Sequence, residues 1–320
     1  MKIYREPPKN FNEKDKDIFN NLEKGVFIPD PEIIIYKNVL VSGFNLFSMN
    51  KLKFLNRLSM AIDFKLQASS FIKHLLKSIY KNRRIISKQD NLWIINDHCF
   101  NYYHWVSEAL PRLLLLKKYG YNEKILLPNN WKNHEYIISS IDKLNFHYEF
   151  YDIDKVYKIS NFTTSKHLAT TGNFNPIHIK ELSNYLKTSK SVNSKYWIVR
   201  KENQSRRIKN KDDLLEVLNK YQIKTIYSED LSFEDEVNIF SKASFIGGLH
   251  GAGLTNMLFM DEGSVVLEIK TKLTEKSNAF FAMASALNHN YYYHRSDLDD
   301  IEGIELNIKG IDSILKGIFN

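Results

Sequence analysis

Two spacings of apolar residues alternate along the 320-residue chain. Runs such as Glu32–Tyr36, Val39–Val41, Leu92–Ile95, Lys124–Leu127, Tyr148–Tyr151 and Lys155–Ile159 are short, rich in β-branched and aromatic residues, and bounded by Gly, Pro or Asn. That pattern predicts strands. Between them, apolar residues return every three or four positions over Asn133–Leu144 and Ile177–Lys187, as one face of a helix requires. A polar stretch, Thr188–Lys195, has the composition of a linker. A second series follows it. Strands are expected at Lys195–Arg200, Lys224–Tyr227, Ser244–Gly248 and Val265–Ile269. Helices are expected from Asn210, read as an N-cap, to Tyr221, from the capping box Ser232–Asp235 to Ala243, and over Ser277–Leu287. Strands alternating with helices imply an α/β fold with largely parallel sheets. The expected division is an N-terminal domain over 1–190, a second over 191–290, and a tail over 291–320 that packs back on the first, with a cleft between the two halves.

One stretch interrupts this regularity. Four of the chain's twelve glycines fall within seven residues, in Gly247-Gly-Leu-His-Gly-Ala-Gly253. Glycine loses more freedom on folding than any other residue, so such a cluster needs a reason: a positive φ or a close approach of backbone to something. A strand that runs through a glycine turn into a helix presents backbone N–H groups to an anion. Gly251, Ala252 and Gly253 would let a diphosphate approach, and His250 would project from the turn. The spelling is neither G-x-G-x-x-G nor a P-loop. Packing alone could also require glycines here. Arg200, Arg206 and Arg207 would lie on the same carboxyl edge if the sheet is parallel, and guanidinium forks match phosphate oxygens. Glu268, an acid on an apolar strand, could accept from ribose hydroxyls or be a paired structural carboxylate.

The second dense signal is Asn101–Leu116. On a helix His104 and Glu108 share a face, with Arg112 one turn further on. An imidazole beside a carboxylate can take a proton from a hydroxyl nucleophile, although a satisfied structural pair would look the same in sequence. Pro111 should break or kink this helix, since its ring opposes the carbonyl of Ser107.

Charge alters the picture in one respect. The net charge of +8 and pI near 9.1 favour acidic partners. Nine basic residues against one acid over Lys51–Arg84, at helical spacing, would suit contact with an anionic membrane surface. No recognised nucleic-acid motif is present, so nucleic acid is not an expected partner. A single cysteine, the absence of a long uncharged apolar run and a charged N-terminal stretch imply a cytoplasmic protein, with any membrane contact peripheral.

Four stretches resemble glycosyltransferase family 61: Tyr102-Tyr-His-Trp with Glu108-Ala-Leu-Pro-Arg-Leu; Arg200 with Arg206-Arg207-Ile208-Lys-Asn210; Glu229-Asp-Leu-Ser-Phe233; and Gly247–Phe259, which includes Asn256, followed by Gly263–Ile269. The resemblance covers about residues 90 to 285. It implies a GT-B architecture, two Rossmann-like domains facing a central cleft. It also implies inverting transfer from a nucleotide diphosphate sugar, taken as UDP-linked, to a hydroxyl of a bacterial surface glycan or its lipid-linked precursor. Glu108 would be the base, with His104 orienting it or standing in for it. Arg200, Arg206, Arg207, His250, Gly251–Gly253, Asn256 and Glu268 would hold the donor. No metal or other cofactor is expected, and the short acidic triplet Asp152-Ile-Asp154 is read as a solvated turn. A sugar-phosphate transferase with the same donor, or a non-catalytic basic binding protein, are the alternatives.

Overall fold

The computed structural model describes residues 1–19, 22, 25–55, 58, 72, 76, 85–190, 192–201, 208–296, 298–300 and 303–320. Arg206, Arg207 and most of the basic stretch 51–84 lie outside the described residues. Among those described, no helix is long and apolar enough to cross a membrane.

The chain forms two compact units, and their boundaries are not those expected from the polar linker. One unit is Pro29–Thr171; the other joins Met1–Ile28 to Gly172–Asn320. The N-terminal segment, with a small antiparallel pair β1 (Lys2–Ile3) and β2 (Val26–Phe27), thus belongs with the end of the chain.

The contiguous unit is built on a seven-stranded sheet. Its strands are β3 (Ile33–Ser42), β4 (Asn45–Ser48), β5 (Lys53–Phe54), β6 (Ile86–Trp93), β7 (Lys124–Pro128), β8 (Tyr148–Tyr151) and β9 (Tyr157–Ser165), in the order β5-β4-β3-β9-β6-β7-β8. Only β9, β6, β7 and β8 are mutually parallel. The largely parallel sheet expected here is therefore half antiparallel. A tight turn with Gly43 at φ 56° folds β4 back on β3, and β9 returns against the other side of β3. The two runs Glu32–Tyr36 and Val39–Val41 are one strand, which passes through Asn38 at φ 55°, a conformation asparagine tolerates. Helices α1 (Leu110–Lys118) and α2 (Glu135–Lys143) cover the parallel half. The Asp152–Asp154 triplet is a turn, closed by Asp154 N–H donating to Asp152 Oδ1 at 2.9 Å.

In the other unit α3 (Pro176–Leu186) precedes a five-stranded sheet that is parallel throughout. Its elements run β10 (Ser194–Ile198), α4 (Lys211–Lys220), β11 (Lys224–Ile226), α5 (Phe233–Phe240), β12 (Ala243–Leu249), a 3₁₀ run Ala252–Phe259, β13 (Val265–Lys270), α6 (Ala279–Ala286) and β14 (Asn290–Arg295). A short hairpin, β15 (Leu298–Asp300) and β16 (Gly303–Glu305), leads to α7 (Ile308–Phe319). The order β11-β10-β12-β13-β14 is that of a doubly wound sheet, reversing direction at β10. Ser232 caps α5 as expected, with its Oγ accepting from Asp235 N–H at 3.1 Å. Asn210 does not cap α4. Its side chain donates to Leu306 O and accepts from Leu306 N–H, fastening the C-terminal hairpin.

The tail over 291–320 packs within this unit, where it meets both the second sheet and Met1–Ile28, the part of the expected 1–190 domain that belongs to the same unit. Ile311 and Leu315 of α7 share a core with Trp197, Leu214, Leu218 and Phe245. The reason is amphipathic: α7 buries those positions against α4 and the sheet. The N-terminal segment covers the opposite edge. Lys9 N–H donates to Tyr291 O, Asn10 Nδ2 donates to Tyr293 O, and Phe19 packs its ring on Phe281 and Tyr293.

Close packing accounts for one end of the glycine cluster. A Cβ on Gly247 would stand 2.5 Å from Cε3 of the fully buried Trp197, and one on Gly248 would stand 3.0 Å from the Ile198 carbonyl oxygen. Gly247→Ala is expected to destabilise the protein by about 1–3 kcal/mol through overpacking, measured as a lower urea midpoint with an unchanged slope.

Candidate active site

The sheet reverses at β10, and in such sheets ligands bind outside the carboxyl ends of the strands that flank the reversal. Those strands are β10 and β12, and Arg200 and Gly251 follow their carboxyl ends. The two residues meet: a Cβ on Gly251 would stand 2.2 Å from Arg200 Nη2. Gly251 has φ 168°, extended backbone open to any residue. The guanidinium lies against it, and as the far end of a flexible side chain it could swing aside for a Cβ. Gly253 is held close to Ile198 of β10, and 3.6 Å from its missing Cβ lies Ser228 Oγ, buried and without a hydrogen-bond partner among the described residues. An orphaned hydroxyl beside a glycine turn calls for an explanation. Sequence reasoning missed Ser228, although it adjoins the Glu229–Phe233 block. The element after the turn is 3₁₀ rather than the expected helix of α type, and its apolar side chains, Leu254, Met257, Leu258 and Phe259, are all buried.

His250 is held from two sides. Its N–H donates to Ile269 O at 2.9 Å, and its Nδ1 lies 2.5 Å from Glu268 Oε1. Glu268 is completely buried; its other oxygen accepts from Tyr291 OH at 2.5 Å, and Lys270 Nζ stands 3.6 Å from Oε1. Burial alone would raise the carboxyl pKa, but the Lys270 ammonium, His250 and Tyr291 outweigh it and hold it below the ordinary glutamate value. An ionised carboxylate only accepts, so the His250 proton sits on Nδ1. Glu268 therefore has no accessible edge for a ribose; its place is behind the histidine. Burial lowers the Lys270 pKa in turn, and drives that of Tyr291 well up. Neither partner was anticipated. Lys270 was legible, since residues two apart on a strand share a face. Asn256 is also fully buried, and its Nδ2 donates to Glu236 Oε1 at 3.0 Å, tying the 3₁₀ run to α5. Ala252 opens that run beside Gly251.

The second group lies in the contiguous unit. After a single α turn at Tyr102–His104, residues Trp105–Ala109 form a π turn, closed by Leu110 N–H donating to Trp105 O, before α1 begins with Pro111 near its start. Pro111 has no N–H for the Ser107 carbonyl and its ring would clash there. The expected kink is thus absorbed by a wider turn, a form common at functional sites. It keeps His104 and Glu108 together: Nδ1 to Oε2 is 3.1 Å, with side chains 15% and 10% exposed. Glu108 Oε1 is buried and without a hydrogen-bond partner among the described residues. Arg112 turns away from the shared face. It is fully buried and donates to Ile94 O, Ser165 O, Ser165 Oγ and Thr164 Oγ1. Burial lowers its pKa to about 10, an effect that the nearby Cys99 and Glu108 oppose. Cys99 itself, buried, has its thiol pushed up to about 12.

The glycosyltransferase 61 family profile matches residues 102–267, 166 of the 320 residues, from the His104 turn through the glycine cluster to β13. The chain belongs to glycosyltransferase family 61. Within the family, the chain is similar to two mammalian proteins named protein O-linked-mannose beta-1,4-N-acetylglucosaminyltransferase 2. Identity to the mouse protein is 36% over 81 residues, 24% of this chain and 14% of the mouse protein. Identity to the human protein is 35% over 92 residues, 28% of this chain and 16% of the human one. The match thus spans less than a fifth of the length of either relative. The family 61 match covers Arg200, His250 and Gly251 on one unit and His104 and Glu108 on the other, and ends one residue before Glu268.

Proposed function

We propose that the protein is an inverting glycosyltransferase of GT-B type that uses a nucleotide diphosphate sugar, UDP-linked, and a glycan hydroxyl as acceptor. The observation that carries this reading is the guanidinium of Arg200 lying against the backbone of Gly251 at the reversal of the doubly wound sheet, beside an orphaned hydroxyl on Ser228. Guanidinium, backbone N–H groups and a hydroxyl donor are what an anionic diphosphate takes. His250, fixed by Glu268, adds a ring nitrogen to the same turn. Under this reading the two units are the two halves of the GT-B enzyme. Glu108 serves as base, with His104 as its partner. The acceptor oxygen forms its bond to the anomeric carbon as the bond to the diphosphate oxygen breaks. The acceptor proton passes to the carboxylate, and the leaving charge is met by Arg200 and the turn. A bacterial capsular or related surface polysaccharide, or its lipid-linked precursor, is the acceptor in this reading, and the cytoplasm is the place of action, with residues 51–84 touching an anionic membrane surface. The relatives' printed activity adds N-acetylglucosamine to the donor sugars worth testing.

Binding is the direct test. UDP, GDP, CMP, ADP and their common sugars are compared by thermal shift, with and without magnesium. One nucleotide class is expected to raise the melting temperature, by an amount equivalent to about 2.7 kcal/mol at a hundred times Kd, without need of magnesium. Arg200→Ala is expected to remove that rise. Absence of any shift in the wild-type chain at millimolar ligand would sink the transferase reading.

A further inference from the structure

A second polar recess lies beside the glycine turn, at the carboxyl ends of β13 and β14, within the same unit. It is a cavity of about 230 Å³ lined by Lys270, Thr271, Lys272, Glu275, Arg295 and Ser296. We propose that this cavity is the subsite for the sugar ring of the donor, an inference that rests on the transferase reading given above.

Position is the first argument. Strands β12, β13 and β14 are consecutive neighbours in the sheet. At about 4.8 Å between strands, the cavity stands roughly 5–10 Å along the sheet edge from the Gly251 turn. A group joined directly to a diphosphate seated at that turn reaches this far.

Lining is the second. A nucleobase is taken by an aromatic or apolar slab that covers its face, and ligand pockets generally are mostly apolar. All six lining residues here are polar or charged. A ring whose carbons carry hydroxyls and an ether oxygen suits such walls, because each hydroxyl can both donate and accept. Size agrees: 230 Å³ is below the ~300–1,000 Å³ of pockets that enclose drug-sized ligands, enough for one ring and too little for a nucleoside with its sugar.

The polar groups are also prearranged. Arg295 Nη2 donates to Glu275 Oε2 at 2.9 Å, and Nη1 donates to Asp15 Oδ1 at 3.1 Å. Asp15 ties the half-exposed guanidinium to the N-terminal segment and itself accepts from Tyr293 OH at 2.6 Å. Oε2 of Glu275 is engaged by the arginine, while Oε1 is the acceptor offered to a ring hydroxyl. Thr271 and Ser296, 2% and 5% exposed, line the floor, with Ser296 Oγ donating to Glu305 O at 3.1 Å and Thr271 Oγ1 3.2 Å from Thr274 Oγ1. Beneath them Lys270 is tied to Ser277 O and to Glu268, so floor and histidine share one buried network. Glu275 would thus read the sugar, and Asp15 would be a positioning residue that acts through Arg295.

The test separates the ring from the diphosphate. Isothermal titration of the full chain is run with the nucleoside diphosphate that stabilises it most and with that nucleotide's sugar. For Glu275→Gln, Kd for the nucleotide sugar is expected to rise about tenfold, as loss of one charged hydrogen bond implies, while Kd for the free diphosphate changes less than twofold. Asp15→Asn, which lies outside the cavity, is expected to move the ratio of the two constants in the same sense by a smaller amount. Equal weakening of both ligands, or an unchanged nucleotide-sugar constant while the diphosphate still binds, overturns the subsite and leaves the transferase reading standing. A wild-type chain that binds no nucleoside diphosphate removes the transferase reading itself, and the subsite with it.

Discussion

Replacing Glu108 by Gln is expected to lower turnover by roughly 10²–10⁴, the usual contribution of a positioned general base, with nucleotide affinity unaltered. The substitution is nearly isosteric. It keeps an acceptor for His104 Nδ1, 3.1 Å away, so the π turn should survive. What it removes is the capacity to take a proton. Turnover is to be measured under saturating donor and acceptor, beside the thermal shift that nucleotide produces. A His104→Asn variant completes the assignment. If Glu108 is the base, losing the imidazole costs less than losing the carboxylate. If the imidazole is the base and Glu108 only orients it, the two losses are similar, as they are for residues that act as a unit. Near-normal turnover in Glu108→Gln would eliminate the carboxylate from the chemistry. The buried, unpartnered Oε1 would then need another explanation.

Glu268→Ala carries the largest expected cost in stability, about 3–5 kcal/mol, because removing one member of a buried ion pair leaves the other charged and unmatched. The charge left is Lys270, whose side chain is wholly buried with Glu268 and 3.6 Å from it. Chemical denaturation measures the cost, and a loss below 1 kcal/mol would show that the pair contributes little. Acidification gives a second check. The folded-state pKa of Glu268 lies below its ordinary value. Its stabilisation is therefore complete above the unfolded value of about 4.3 and is lost as the pH falls below that through the lower folded one. Glu268→Gln should flatten this part of the acid denaturation profile. The same variant should weaken nucleotide binding if His250 needs its anchor, since an amide can present either an oxygen or an N–H to Nδ1.

Much of the fold was legible because strands and helices in the second half of the chain are short, strongly periodic and well capped. Ser232 with Asp235, the run Val265–Ile269 and the glycine cluster each fell where local rules put them. Other features were not legible because they depend on partners distant in sequence. Asn210 has the composition of a cap but is claimed by Leu306, 96 residues away. The antiparallel half of the first sheet depends on β9 choosing β3, which no local pattern encodes. At the candidate site, the meeting of Arg200 with Gly251 followed from parallel strands and could be foreseen. The roles given to Glu268 and Asn256 could not, because burial decides them: an acid on an apolar strand reads the same whether it faces a ligand or closes a buried network. Arg206 and Arg207 lie outside the described residues, so the arginine block is represented here by Arg200.

The docking of Met1–Ile28 against β14 has a consequence for how the chain comes off the ribosome. Synthesis proceeds from the N-terminus at about 5–20 residues per second, and domains generally fold as units. Pro29–Thr171 is unbroken in sequence and can close once it has emerged. The segment Met1–Ile28 has to wait for Tyr291 and Tyr293, its hydrogen-bonding partners; Tyr293 is made 283 residues after Asn10. Over that interval Phe19 and Ile18 have no core to enter, a period of roughly 15–60 s at those rates. The unit that carries the glycine turn is thus completed after Pro29–Thr171, and a nascent chain halted before β14 would present an apolar N-terminal segment to chaperones.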